Sequence, residues 1–271
     1  MAYLSIPPNS AIKIYPAMKL TVLGCSGGIG SGRQTTCFLL DDDILIDAGT
    51  GITSLNLEQL ERINHVFLTH SHLDHVLGLP LLLDAVGDRR SDPVIVHALP
   101  DTLEILEQHL FNWKLWPDFR EIPTAEAPWL RFLPLPLGSS RTLGGRTLTS
   151  TPAHHTVPAC GYRISNGQYS LVFTGDTTRS DALMHTLNDM DDLTDLIIET
   201  SFEDELRDIA LASMHHHPDS LGHELARLKS RPRIWITHLK PGNEQPILDE
   251  LAQHMPDREI APLMQGQVIA W

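Results

Sequence analysis

Six consecutive residues, His70-Ser71-His72-Leu73-Asp74-His75, hold four groups able to bind a divalent cation. A cation site needs several neutral imidazoles and carboxylates converging on one point. In an extended segment residues i and i+2 point the same way, so His70 and His72 can share one ion. Asp74 and His75 follow at the start of a helix and can face a second. A solvated histidine-rich loop is the bland alternative. The position of the cluster, directly after the apolar run His65–Thr69, argues against it.

Further histidines and carboxylates sit in similar places. His154-His155 is an adjacent pair, of which only one can ligate. Asp176 follows the apolar run Tyr169–Phe173, Glu199 ends Asp195–Ile198, and His238 ends Arg233–Thr237. Asp47 follows Ile44-Leu45-Ile46 and is suited to orienting a ligating histidine or its loop rather than to binding metal.

These groups must be positioned by an alternation of strands and helices. Short β-rich runs read as strands at 19–24, 36–40, 43–46, 65–69, 93–98, 131–137, 146–151, 160–164, 169–173, 195–198, 233–237 and 267–271. Ser165-Asn166-Gly167 reads as a hairpin turn. Helices are expected near 55–63, in two short pieces after His75, and at 102–110, 183–190, 221–229 and 245–253. The glycine-rich Cys25–Gly32 stretch leads into another strand where a dinucleotide fold would need a helix, so it is read as a hairpin-like turn. The segments ILIDAG and HVFLTH in the first half echo LVFTGD and RIWITH in the second. That echo suggests two β-rich halves whose strand ends meet at one edge.

With these motifs in order from Gly24 to His238, the chain resembles the metallo-β-lactamase superfamily. Within it, His-x-His-Leu-Asp-His-Val-x-Gly-Leu is similar to the signature of class II cyclic nucleotide phosphodiesterases, of the ribonuclease Z-like branch. The continuation Pro80-Leu-Leu-Leu-Asp84-Ala85 departs from that signature. The resemblance implies an α/β fold, a four-layer αββα sandwich with its metals at one edge. It implies that His70, His72 and His155 hold one metal, that Asp74, His75 and His238 hold the other, and that Asp176 bridges them. The two divalent ions are expected to be zinc, with manganese or iron also compatible with such ligands. His154 is then a surface or supporting residue.

Two close metals favour attack by a bridging hydroxide, with Asp74 at the reacting centre. Ile197-Ile-Glu199-Thr-Ser-Phe202 and Ala212-Ser-Met-His215 resemble the Glu–His pair of the phosphodiesterase groups. That implies Glu199 orienting His215, with His215 as general acid. His216 and His217 are read as a solvated helix N-terminus. The expected reaction is hydrolysis of 3′,5′-cyclic nucleotides (cAMP or cGMP) to 5′-monophosphates. The alternatives are a ribonuclease Z-like tRNA 3′-processing endonuclease, or a metallo-hydrolase of another small ester or a lactam. Phe111, Trp113, Trp116 and Phe119 are candidates to stack on a base, against a bland role in the core or a dimer contact.

Composition limits the partners. The 271 residues carry a net charge of −14, which disfavours nucleic acid as a general partner. A small anion remains compatible if metals supply local positive charge. At 42% hydrophobic and 20% charged, the composition is that of a globular protein. Three cysteines, Cys25, Cys37 and Cys160, suggest no disulfide framework and a cytoplasmic setting. No apolar run is long enough for a membrane span. Residues 1–17 read as an N-terminal extension without signal-peptide character, and 18–271 as a single hydrolase domain, with a homodimer left open.

Overall fold

The computed structural model describes residues 17–271; the extension read over 1–17 lies, but for Ala17, outside the described residues. Among the described residues fourteen strands form two seven-stranded sheets. The first is built from β1 (Lys19–Gly24), β2 (Cys37–Leu40), β3 (Ile44–Ile46), β4 (His65–Phe67), β5 (Val94–Ala98) and β6 (Leu130–Pro134). The second holds β7 (Ser140–Leu143), β8 (Arg146–Pro152), β9 (Cys160–Ser165), β10 (Ser170–Phe173), β11 (Leu193–Glu199), β12 (Arg233–Thr237) and β13 (Ile260–Pro262). The last strand, β14 (Val268–Ala270), returns to the edge of the first sheet beside β1. The helices are α1 (Leu57–Glu61), α2 (Leu73–Val76), α3 (Gly78–Val86), α4 (Pro100–His109), α5 (Asp181–Asn188), α6 (Arg207–Ser213), α7 (Pro218–Leu225) and α8 (Glu244–His254).

Three apolar layers explain the sandwich. Strands β2, β3 and β10 are buried at every residue because both faces of their sheets are covered. Between the sheets lie Phe38, Phe67, Tyr162 and Phe173. Phe38 meets Phe173 edge-on at 4.9 Å, and the Tyr162 hydroxyl donates to the Leu68 carbonyl at 2.8 Å, so the sheets are joined by both packing and hydrogen bonding. Outside the first sheet pack Leu79, Leu82 and Leu83 of α3 with Leu103 and Leu106 of α4. Outside the second pack Leu183 and Leu187 of α5, Leu221 of α7 and Ile247 of α8. This is the four-layer αββα arrangement expected from the resemblance.

The two sheets share one pairing plan. Reading β14-β1-β2-β3 and β7-β8-β9-β10, the neighbours are antiparallel. Reading on through β4-β5-β6 and β11-β12-β13, they are parallel. The echo of the two halves is therefore structural, with one correction. By position β3 matches β10, but β4 matches β11, which ends in Glu199. The strand ending in His238, β12, matches β5 instead.

Other readings shift. Sequence periodicity missed α6, β7 and β13, which are short and half-exposed. The glycine-rich loop joins the antiparallel neighbours β1 and β2, as a hairpin would, but it is longer than a tight turn, and within it Ser26 bridges both Thr35 and Leu239, clasping the two sheets together. The aromatic clamp is also corrected. Phe111 and Phe119 are buried in the outer core of the first sheet, and Trp116 packs against them. Trp113 alone is exposed, at 58%, with its indole N–H donated to Glu121. His216 and His217 are buried rather than solvated, because α7 packs down on the second sheet. The His216 ring pairs with the Ser220 hydroxyl at 3.0 Å and the His217 ring with the Asp204 carboxylate at 2.6 Å.

Candidate metal centre

The carboxyl ends of the central strands supply the chemistry. After β3 the chain turns at Asp47, whose φ of +55° lies in the left-handed region. After β4 it runs through Thr69 and His70 into α2, with His72 immediately preceding the helix and Asp74 and His75 inside it. From the second sheet, β10 leads to Asp176, β11 ends in Glu199, and His238 follows β12 at φ +63°. Met214, between α6 and His215, adopts φ +54°. Left-handed backbone at three non-glycine residues around one cluster of donors is strain maintained by the surrounding structure. A Cβ on Gly27 would lie 2.3 Å from the His238 carbonyl oxygen, so only glycine lets the clasp loop approach there.

Two donor sets converge. His70, His72 and His155 form one, and Asp74, His75, Asp176 and His238 the other, each with its potential ligand atoms within 4.8 Å of one another. The sets touch. One oxygen of Asp176, Oδ2, lies 3.3 Å from both His75 Nε2 and His238 Nε2 and 3.8 Å from His70 Nε2. Asp74 Oδ2 stands 3.2 Å from His238 Nε2 and 3.6 Å from His75 Nε2. His155 Nε2 and His72 Nδ1 face each other at 3.1 Å.

The protonation preferences suit cations. Burial pushes His70 well below the ordinary histidine range, reinforced by the neighbouring His75. Burial also lowers His72 and His155 against the opposing pull of nearby carboxylates. These rings therefore present lone pairs. Burial resists charge on Asp74 and Asp176 as well, yet His238 and His75 hold both below the usual carboxylate range. For His75, burial is outweighed by the Asp176 and Asp47 carboxylates, which raise its pKa well above normal. The pocket thus calls for positive charge at its centre. His70 Nε2 and His75 Nε2 are buried without a hydrogen-bond partner, aimed at that centre. Such residues fit divalent ions, which the fold family also implies.

The outer ring of contacts orients these donors. His75 Nδ1 meets Asp47 Oδ2 at 2.7 Å. His70 Nδ1 meets the Thr69 hydroxyl at 3.0 Å, and that hydroxyl reaches the Asp47 carboxylate at 2.9 Å. His155 Nδ1 donates to the Met214 carbonyl at 3.1 Å. His238 Nδ1 meets the Ser201 hydroxyl at 2.8 Å. The His215 ring pairs through Nδ1 with Glu199 Oε1 at 2.8 Å and stacks on His238 at 5.0 Å. Burial lowers the charged form of His215, but Glu199 overcomes it and raises the pKa above the ordinary value.

All nine residues singled out for the site are thereby gathered, with Asp47 beside His75. His154 points away, its ring 3.3 Å from the Arg179 carbonyl oxygen. The sequence reading missed Thr69, Ser201 and the Met214 carbonyl. Thr69 and Ser201 were visible only as hydroxyl residues next to the motifs, and a backbone carbonyl leaves no mark in a sequence.

The family model for the Beta-lactamase superfamily domain matches residues 42–239, well over half of the chain. The chain belongs to the beta-lactamase superfamily. Among curated relatives, a probable 3′,5′-cyclic-nucleotide phosphodiesterase of Yersinia pestis is 26% identical, covering 88% of this chain and 84% of that one. A ribonuclease Z of Bradyrhizobium diazoefficiens is 35% identical over 50% of this chain and 46% of its own length. Among solved structures, unliganded yeast PDE1 superposes with TM-score 0.79 at 19% identity, over 93% of this chain and 99% of that one. The short form of human tRNase Z does so with TM-score 0.66 at 18% identity, over 93% and 98%. Those two likenesses show the fold. Within the superfamily, then, the relatives include both enzymes that the sequence resemblance pointed to. Among the described residues no helix is long and apolar enough to cross a membrane.

Proposed function

We propose that the protein is a two-metal phosphodiesterase acting on 3′,5′-cyclic nucleotides. His70, His72 and His155 would hold one divalent ion, Asp74, His75 and His238 the second, with Asp176 between them. Bound there, the ions supply an activated water as nucleophile and offset charge on the phosphoryl oxygens. The chain's own residues do the rest. Asp74 and Asp176 keep the centre anionic enough to retain cations. Glu199 holds His215 by Nδ1, which leaves the other ring nitrogen to deliver a proton to the departing ribose oxygen.

The observation that carries this reading is the buried His215–Glu199 pair beside two complete donor sets. A poor alkoxide leaving group needs such an acid. His215 also lies near enough to His155 and Asp176 to enter a ligand set. Its commitment to Glu199 favours the proton role. Net charge of −14 and the greater coverage by the cyclic-nucleotide relative favour a small substrate over tRNA. The ribonuclease Z relatives keep the RNA reading as the second choice. Purified protein loaded with zinc, manganese or iron is expected to open cAMP or cGMP to the 5′-monophosphate. Cleavage of precursor tRNA trailers with no action on cyclic nucleotides would establish the second reading.

A further inference from the structure

Ser201 lies at the junction of His238 and Glu199. It is fully buried two residues beyond β11, and its hydroxyl lies 2.8 Å from His238 Nδ1 and 3.3 Å from Glu199 Oε2. The cation-binding role proposed for His238 sets the direction of these bonds. Its Nε2 lies 3.2 Å from Asp74 Oδ2 and 3.3 Å from Asp176 Oδ2; with the proposed cation held among these donors, Nε2 would present its lone pair and the ring proton would sit on Nδ1. That N–H would then donate to Ser201 Oγ. The serine's own proton is then free to donate to Glu199 Oε2, or less usefully to the His238 carbonyl oxygen, also 3.3 Å away. The other carboxylate oxygen of Glu199 accepts from the Thr177 amide at 3.1 Å and from His215 at 2.8 Å. With Ser201 donating, both oxygens of this fully buried carboxylate are satisfied.

The first sheet holds the same wiring. His70 Nδ1 meets the Thr69 hydroxyl, Thr69 donates to Asp47, and Asp47 accepts from His75. In each sheet the order is histidine, hydroxyl, buried carboxylate, histidine. By sheet position Asp47 follows β3, whereas Glu199 ends β11, so the repetition arises at different strands.

We propose that Ser201 is a positioning residue that locks His238 in its Nδ1–H tautomer and, through the same hydroxyl, fixes the Glu199 carboxylate that orients His215. It would thereby tie the grip on one cation to the readiness of the proton donor. The inference rests on the metal and proton roles assigned under Proposed function. Its hydroxyl is the shared partner of both groups.

The test compares Ser201→Ala and Ser201→Thr with the parent protein. Threonine keeps the hydroxyl and controls for packing; near-ultraviolet circular dichroism verifies the fold of both. Zinc is titrated against a chelating dye, a readout independent of any substrate. Ser201→Ala is expected to weaken one of the two zinc sites about 10- to 100-fold and leave the other within two-fold. Ser201→Thr should restore parental binding. In steady-state assays Ser201→Ala should lower kcat more for an alkyl phosphodiester than for a p-nitrophenyl one, because only the alkyl leaving group depends on the acid. Equal loss at both zinc sites, unchanged zinc binding, or failure of threonine to rescue would each overturn the proposal. If the parent protein hydrolyses no phosphodiester at all, the functional reading fails, and the zinc titration still decides the role of Ser201.

Discussion

Asp47 and Glu199 occupy comparable places and do different work. Both are fully buried carboxylates, each reached by a histidine and by a hydroxyl that touches a second histidine. At Asp47 the two histidines are His70 and His75, both among the gathered donor sets and both sealed from solvent. At Glu199 one of them, His215, is not needed to complete either main set and retains 8% exposure. One arrangement of hydrogen bonds can therefore serve to hold a cation or to aim a proton. What distinguishes the uses is where the second ring faces.

The largest effect should come from breaking the first hub. Asp47→Ala leaves His75 Nδ1, the Thr69 amide and the Thr69 hydroxyl without their buried acceptor. Removing one member of such a buried pair costs about 3–5 kcal/mol. Thermal unfolding should show that loss, and elemental analysis should show depletion at both metal sites. Full metal occupancy in this variant would refute the orienting role of Asp47.

Glu199→Gln attacks the second hub. Metal content should stay at the parental level while turnover of a cyclic nucleotide falls by about 10²–10⁴-fold. A parallel loss of metal would mean that the hubs do not differ as described. His215→Asn should match Glu199→Gln in rate and, like it, spare a p-nitrophenyl ester far more than an alkyl one. Equal losses on both esters would remove His215 from the proton role.

Two smaller effects lie outside the hubs. Trp113→Ala should change stability by no more than about 0.5 kcal/mol and leave KM for the cyclic nucleotide unaltered, since the ring is exposed and its indole N–H is donated to Glu121. A rise in KM would restore a substrate role for that one aromatic. His97 offers the mildest contrast. Burial, then the neighbouring His65 and Arg141, lower its pKa to about 3. A histidine lowered on folding takes up its proton more readily when unfolded. Its contribution is intact above the unfolded value near 6.5 and is lost as pH falls toward about 3. His97→Phe, which can keep the stacking on Phe67, should flatten the acid side of the stability–pH curve relative to the parent. Denaturant midpoints at several pH values measure this, and superimposable curves would contradict it.

Much of the donor set was legible because ligands at strand ends leave a sequence trace. An apolar run must stop where the chain leaves the sheet, and a histidine or aspartate at that stop is conspicuous. Such positions at His70, Asp176, Glu199 and His238 were readable for this reason. Burial was less legible. His216 and His217 look polar in an HHHP run, yet α7 covers them, and Phe111 and Phe119 look available yet fill a core. Local composition does not reveal which neighbour from a distant segment will pack on a residue.

The sequence by itself determined that four cation-binding groups stand within six residues, because their spacing is covalent. It also determined which strands could end in further donors, through the alternation of apolar runs with polar stops. Only the tertiary structure decided that residues as far apart as His70 and His238 share one Asp176 oxygen. That required two sheets to pack through Phe38, Phe67, Tyr162 and Phe173 and bring their strand ends to one edge. Only it decided that Asp47 and Glu199 are hubs. A carboxylate becomes a hub when burial removes water and leaves particular N–H and O–H groups as its partners, and burial belongs to the packed molecule rather than to the chain.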